Sequence, residues 1–139
     1  MGERELAAAV RANHEVFLRT ADRIGPVLAA HGLTEATAQA LLMIDPDEAP
    51  PSMKTMAERL HCNAPNLSFV TNQLVTRGLV ERVADTRDRR SRALVLTGEG
   101  RRVRAEVERE TLRRSPFSRL DADELKTLVS LLDRALEQS

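Results

Sequence analysis

Residues 79–97 read LVERVADTRDRRSRALVLT. Two short apolar runs, 79–83 and 93–97, flank a polar stretch holding Arg87, Arg89, Arg90 and Arg92 with Asp85 and Asp88. The runs read as strands, and they stand too close together for any connection but a hairpin. A turn in water needs polar residues but not four guanidiniums. The stretch is either a plain charged loop or a tip that faces an anion.

The residues just upstream make the hairpin part of a larger motif. Ser52 is placed to cap a short helix from Met53 to Leu60 that would bury Met56, Ala57 and Leu60. After a tight connection, Asn63 is placed to cap a second helix with Pro65 in its first turn. That helix runs to Arg77 and stops at Gly78, a helix-ending glycine. Two short helices joined by a tight turn read as helix-turn-helix, and a β-hairpin wing after them makes a winged helix. Further upstream, DPDEAPPS at 45–52 is a loop. Thr34 is expected to cap a helix reaching about Ile44, and HGL at 31–33 to stop the helix before it. Downstream, Thr97 should cap a helix to about Arg114, with Pro116 ending it. Asp121 and Glu124 have the spacing of a capping box.

The chain ends carry long amphipathic patterns. Leu6, Val10, Phe17, Ile24 and Leu28 form one apolar stripe, with a kink or break expected at Gly25-Pro26. Leu125, Leu128, Val129, Leu132, Ala135 and Leu136 form a second, wider stripe. Either both pack on their own domain or they meet a second copy of the chain. A two-fold partner would bury both, and helix-turn-helix readers of paired half-sites are commonly dimers.

Composition narrows the class. At 139 residues the chain fits one domain, with no Trp or Tyr and three Phe, so the core must be aliphatic. A single cysteine excludes an internal disulfide and fits a reducing, cytoplasmic compartment. The N-terminus shows no signal-peptide pattern. The Ser/Thr of a myristoylation signal is missing at position 6. No apolar run approaches the ~18 residues of a membrane span. The net charge is zero. From Arg82 to Arg104, however, eight arginines oppose three acids, a local excess of five positive charges. A basic stripe on a neutral protein fits a nucleic acid met by one surface only.

The run LVTRGLVERVADTRDRRSRALVLTGEGRRV resembles the MarR family (multiple antibiotic resistance regulators). Similar family features are Gly78-Leu79-Val80-Glu81-Arg82, the Asp88-Arg89-Arg90 wing tip and Leu96-Thr97-Gly98-Glu99-Gly100. MKTMAERL and PNLSFVTNQL resemble the family's paired helices. The likeness covers nearly the whole chain. It implies a mainly α fold with a small β-hairpin wing, one MarR-like domain over residues 1–139. In it a winged helix-turn-helix at about 34–97 is flanked by dimerisation helices at about 3–30 and 98–138. It implies a homodimeric regulator of transcription on a double-stranded DNA operator. It further implies a ligand cleft between the dimer base and the DNA-binding lobe, its effector unassigned. Two features depart from the family pattern. Gly25-Pro26 interrupts a first helix that is usually continuous, and Phe69 stands where a polar or basic residue is more usual.

At 100° per residue, Leu67, Val70, Thr71 and Leu74 project to one side of the second helix. Pro65, Phe69, Asn72, Gln73 and Thr76 project to the other. Asn72 and Gln73 suit adenine in the major groove, and Phe69 can cover a thymine methyl. Asn66 and Ser68, at the helix start, suit phosphates. In the wing, arginines fit a narrow A·T-rich minor groove. The family's Asp-x-Arg makes Arg90 the candidate for insertion with Asp88 as its holder, leaving Arg87, Arg89 and Arg92 for phosphates. Arg89 is adjacent to Arg90, so the choice between them stays open.

Other chemistry is weakly signalled. One Cys and three scattered His lack zinc spacing, and no residue completes a catalytic pair with Cys62. Cys62 reads as a small apolar turn residue rather than a sensor thiol. His14 and His31 are either ordinary polar positions or cleft-lining groups. No enzyme, metal or cofactor is expected. The competing expectation is a winged helix that serves protein–protein contact without specific DNA binding.

Overall fold

The structure, a computed structural model, describes residues 2–137. The outer limits expected for the domain, 1, 138 and 139, lie outside the described residues. In chain order the elements are α1 (Glu3–Ala30), α2 (Glu35–Leu42), α3 (Met53–Leu60), α4 (Ala64–Thr76), β1 (Val80–Ala84), β2 (Arg92–Leu96), α5 (Gly98–Arg114), a 3-10 turn (Pro116–Arg119) and α6 (Ala122–Leu136). The chain divides into two compact units. One holds the chain up to Ile24 and from Thr111, the other Gly25–Glu110.

The unit Gly25–Glu110 is the winged helix. Its helices begin where short polar side chains can cap them. Thr34 Oγ1 accepts from the Thr37 backbone while Thr37 Oγ1 accepts from Thr34 N, a reciprocal box built from two threonines. Ser52 caps α3 through Thr55 N at 3.0 Å, and Asn63 caps α4 through Asn66 N at 2.9 Å. The far end of α2 is closed by two arginines from other helices. Arg104 of α5 donates to the Leu42 carbonyl and Arg59 of α3 to the Met43 carbonyl, both at 2.8 Å. Cations there satisfy orphan carbonyls and oppose the negative helix end. Between these elements Leu41, Met56, Leu67, Leu74 and Leu94 are fully buried. Each contributes about 1.5–3 kcal/mol by removal from water.

β1 and β2 pair antiparallel, Val80 opposite Leu96 and Ala84 opposite Arg92. Both strands lie within one residue of their expected limits. The preceding loop also adds to the sheet, because Leu94 N donates to Pro51 O at 2.9 Å and Ser52 bridges Ala93. Two glycines make this junction possible. Gly78, at φ +74, ends α4 in the left-handed region that favours glycine. Gly100 lies in the first turn of α5, where a Cβ would come 1.9 Å from the Leu79 carbonyl oxygen. Its neighbour Thr97 ties α5 to the strand start, accepting from Gly100 N and donating to Gly78 O.

The unit of chain ends comprises α1 up to Ile24, α5 from Thr111, the 3-10 turn and α6. Arg23 and Arg114 clasp each other's backbone, each guanidinium donating to the other's carbonyl at 3.0 Å. The Asp121–Glu124 capping box forms as its spacing predicts.

Three local expectations are corrected. α1 does not break at Gly25-Pro26 but continues to Ala30. An internal proline costs a helix about 3 kcal/mol, while Ile24 and Leu28 on either side are each only 6% exposed. Burial of two aliphatic side chains outweighs the missing hydrogen bond. Second, α2 ends at Leu42 rather than Ile44, although Ile44 is still buried. Third, Ala57 and Leu60 are half-buried, leaving Met56 as the buried residue of α3.

Candidate nucleic-acid interface

The turn between α3 and α4 is tight because His61 adopts a left-handed conformation, φ 52°, and Cys62 N donates back to Ala57 O at 3.1 Å. Leu67, Thr71 and Leu74 then fix the inner face of α4. Asn66, Ser68, Phe69 and Asn72 are exposed, Phe69 at 65%. Phe69 is therefore no satellite of the core. It borders an apolar groove with Leu60, Cys62 and Val70. Gln73 is half-buried and faces elsewhere. It lines a cleft of about 850 Å³ within the same unit, with His31, Thr37, Thr76 and Arg77.

Asn72 does not present a free amide. Its Oδ1 accepts a hydrogen bond from Arg82 of β1. Neither composition nor charge count pointed to this pairing, because the two residues lie ten positions apart on different elements.

The wing repeats one local device twice. Asp85-Thr86-Arg87 and Asp88-Arg89-Arg90 are both Asp-x-Arg, and in both the aspartate accepts from the backbone N–H two residues on, at 2.9 and 3.0 Å. In the first copy the aspartate is buried. Asp85, 5% exposed, also accepts from Arg87 Nε at 3.2 Å and Ser91 Oγ at 3.2 Å. Arg87 reaches on to Pro50 O at 2.8 Å, which fastens the wing to the loop before α3. The hydrogen bond from the Arg87 backbone, then the Arg87 side chain with its charge and the Ser91 hydroxyl, lower the Asp85 pKa below the usual carboxylate value against the opposing effect of burial. The second copy is in solvent. Asp88 Oδ1 lies 3.7 Å from Arg90 Nε, and the Arg90 side chain is 94% exposed.

The basic stripe is thus less uniform than its sequence. Arg87 is engaged by Asp85, and Arg104 is turned inward at 14% exposure to Glu108 and Leu42. Arg102 pairs with Glu99. Arg89, Arg90 and Arg92 remain exposed at the tip. Asp85 and Arg82 are the structural contributors that the sequence reading passed over. The doubled Asp-x-Arg was the available signal for Asp85.

Elsewhere, His31 Nε2 lies 3.1 Å from Glu106 Oε2, and His14 is exposed. Among the described residues, no group of three or more His, Cys, Asp or Glu could hold a metal ion. No described helix is long and apolar enough to cross a membrane.

The helix-turn-helix, β1 and the wing loop up to Ser91 lie within the stretch over which the MarR family model matches, residues 31–91, and β2 follows directly after it. Over these residues the chain is similar to the MarR family. The likeness to solved structures runs further, over nearly the whole chain. The transcriptional repressor CouR, solved bound to a 23-mer DNA duplex, is 25% identical with a TM-score of 0.75, covering 97% of this chain and 96% of that one. A MarR transcriptional regulator from Methanosarcina mazei Go1 superposes with a TM-score of 0.80 at 19% identity, covering 94% and 95%. NadR, solved with 4-hydroxyphenylacetate, gives 0.77 at 19% identity, covering 96% and 92%. No curated relative matches the chain by sequence.

Proposed function

We propose that this chain is a sequence-specific, DNA-binding transcriptional regulator, a homodimeric repressor that responds to a small-molecule effector and binds a palindromic operator. The observation that carries the reading is the joint exposure of one α4 face and of the arginine wing tip within a MarR-family winged helix. Residues 65–77 enter the major groove. Phe69 and Asn72 face base edges, Gln73 lies at their margin, and Asn66 and Ser68 reach phosphates. The wing, 85–92, follows the minor groove. Arg90 inserts while Asp88 holds its backbone, and Arg89 and Arg92 meet phosphates. Arg87, tied to Asp85 and Pro50, acts first as a fastener of the wing.

The dimer reading is supported by the apolar faces at the chain ends, where Leu6, Val10, Phe17, Val129, Leu131 and Leu136 are exposed in the single chain. A two-fold copy is the partner that suits both faces. CouR with its duplex and NadR with its ligand support the operator and effector parts.

The test is selection of bound genomic fragments, followed by affinity measured against salt. Phosphate neutralisation makes log affinity fall linearly with log salt. A steep slope supports the reading. Salt-indifferent or absent binding supports a protein-contact module instead. Arg90→Ala should weaken binding and reduce preference for A·T at the operator flanks. Tighter binding by Asp88→Ala would remove the holder role.

A further inference from the structure

Arg82 lies on β1 opposite Leu94 of β2, on the sheet face that also carries Val80 and Leu96. Those three neighbours are buried, whereas Arg82 is exposed. A long cationic side chain can cover apolar surface with its stem while its head stays in water. Here the head comes out at the exposed face of α4, where it donates to Asn72 Oδ1. Other arginines of the basic stripe are matched by acids: Arg87 by Asp85, Arg102 by Glu99 and Arg104 by Glu108. Among the described residues no carboxylate pairs with Arg82, and its partner Asn72 is neutral, so its charge stays uncompensated. A guanidinium has five N–H donors, of which Asn72 takes one. The others remain for a second acceptor. The amide oxygen has two lone pairs and likewise keeps a place for a base. The contact restrains the guanidinium beside the reading face of α4 without withdrawing either residue from an outside partner.

The place of that cation decides what it meets. In the DNA-binding reading α4 enters the major groove and the wing follows the adjacent minor groove. One sugar-phosphate strand runs between two adjacent grooves. Arg82 stands between the two reading elements. Its head touches α4, and β1 continues to Ala84, ~7 Å further at the usual strand rise, before the wing loop begins. A cation in that position faces the separating strand rather than a base edge. We propose that Arg82 is a phosphate clamp: its guanidinium, held at one N–H by Asn72, donates to the backbone phosphate that lies between the groove read by α4 and the groove followed by the wing. A charged donor on a phosphate makes a charge-assisted hydrogen bond, stronger than one between neutral groups. Such a contact sets register and orientation and carries no sequence information directly. The inference rests on the DNA-binding reading above and deepens it, adding a contact that lies on neither α4 nor the wing tip.

The experiment uses the full chain and the recovered operator, prepared with a single methylphosphonate at each backbone position of a half-site in turn. Methylphosphonate replaces one charged oxygen by a methyl and leaves the bases as they are. At one phosphate between the α4 site and the flanking minor-groove site, wild type should lose affinity roughly tenfold or more, the scale of one hydrogen bond to a charged group. Arg82→Met keeps the stem without the donors. It should be indifferent to the substitution at that phosphate and respond like wild type at the others. Its log affinity should fall less steeply with log salt, by about 0.9 for each half-site contact removed. Arg82→Lys keeps the charge and should keep the slope. Full wild-type sensitivity of Arg82→Met at every phosphate overturns the inference alone. So does a salt slope unchanged in Arg82→Met, a change confined to base preference, or an Arg82→Lys whose slope falls as far as that of Arg82→Met. Wild-type chain without salt-dependent affinity for any duplex overturns the DNA-binding reading and this inference with it. If Arg82→Met fails to fold by circular dichroism, Arg82→Gln, polar but uncharged, takes its place in the same measurements.

Discussion

Gly25–Glu110 and the chain ends place their apolar side chains in opposite ways. In the first unit Leu41, Met56, Leu67, Leu74, Leu79 and Leu94 are each 4% exposed or less. At the ends Leu6, Val10, Phe17, Leu112, Val129, Leu131 and Leu136 all exceed half exposure. Yet α1 and α6 have amphipathic patterns as regular as any in the chain. The difference teaches that an apolar stripe specifies a helix without specifying what covers it. In the winged helix the cover comes from the same chain. At the ends these side chains stay exposed in the single chain, and a second copy is the proposed cover.

The most severe way to break this comparison is at α6. Replacing Leu128 and Leu132 with Glu would place charges in the proposed seam, at a cost upward of several kcal/mol per dimer. Sedimentation should show monomer or unfolded chain. A folded dimer that still binds DNA would sink the seam. In the winged helix the matching change is Leu41→Ala, at a side chain with no exposure. It should cost about 2–5 kcal/mol, since the core loses transfer energy and gains a cavity. The shift in urea midpoint relative to wild type should be the same at low and high protein concentration. A shift that grows on dilution would mean that this core, too, depends on assembly.

These contrasts explain what the sequence could and could not disclose. Caps were legible because they are local: Ser52, Asn63, Thr97 and Asp121 each act within three residues. The hairpin was legible from its two apolar runs and their close spacing. Continuity of α1 through Pro26 was not, because local propensity opposes it and the burial of Ile24 and Leu28 decides it. The Ser52–Ala93 bridge was hidden in a proline-rich loop, where Pro51 contributes only its carbonyl. At the site, the exposed and buried faces of α4 followed from helical projection, apart from Val70 and Gln73, which sit half-buried at its margins. The Arg82–Asn72 contact did not follow, since it joins two elements and depends on how the wing packs.

Asp85 is the charged exception in the buried unit, and it sharpens the comparison through pH. Its pKa is lowered in the folded wing. The stabilisation is therefore fully present above the unfolded carboxylate value of about 3.9 and is lost as pH falls through the lowered folded value. Protection factors of the Arg87 and Ser91 amides, taken against the intrinsic exchange rate at each pH, should be high at pH 5 and fall as the solution is acidified below that range. Asp85→Asn should remove most of this dependence and loosen the wing at neutral pH. Asp88→Asn, at the solvent-facing copy of the motif, should leave protection at Arg87 nearly unchanged. Equal acid sensitivity in wild type and Asp85→Asn would assign the transition to another group.

Phe69 is the most exposed large apolar side chain described in the same unit, and its effect is the smallest. At 65% exposure it contributes little to the core, and the groove it borders with Leu60, Cys62 and Val70 is open. A phenyl ring cannot hydrogen-bond guanine, as a basic residue in its place could, but it can cover a thymine methyl. The half-site should then contain a thymine that no hydrogen bond reads. Replacing that thymine with uracil removes only the methyl. Wild type should lose about 1 kcal/mol per half-site, the value of one methyl-sized group withdrawn from water. Phe69→Ala should be indifferent to the same replacement while remaining folded, because the ring is not part of the buried set. If both proteins respond equally to uracil at every position, the ring does not touch the base. A loss of stability in Phe69→Ala comparable to that of Leu41→Ala would instead make it part of the core, and the contrast between buried and reading faces of α4 would have to be redrawn around it.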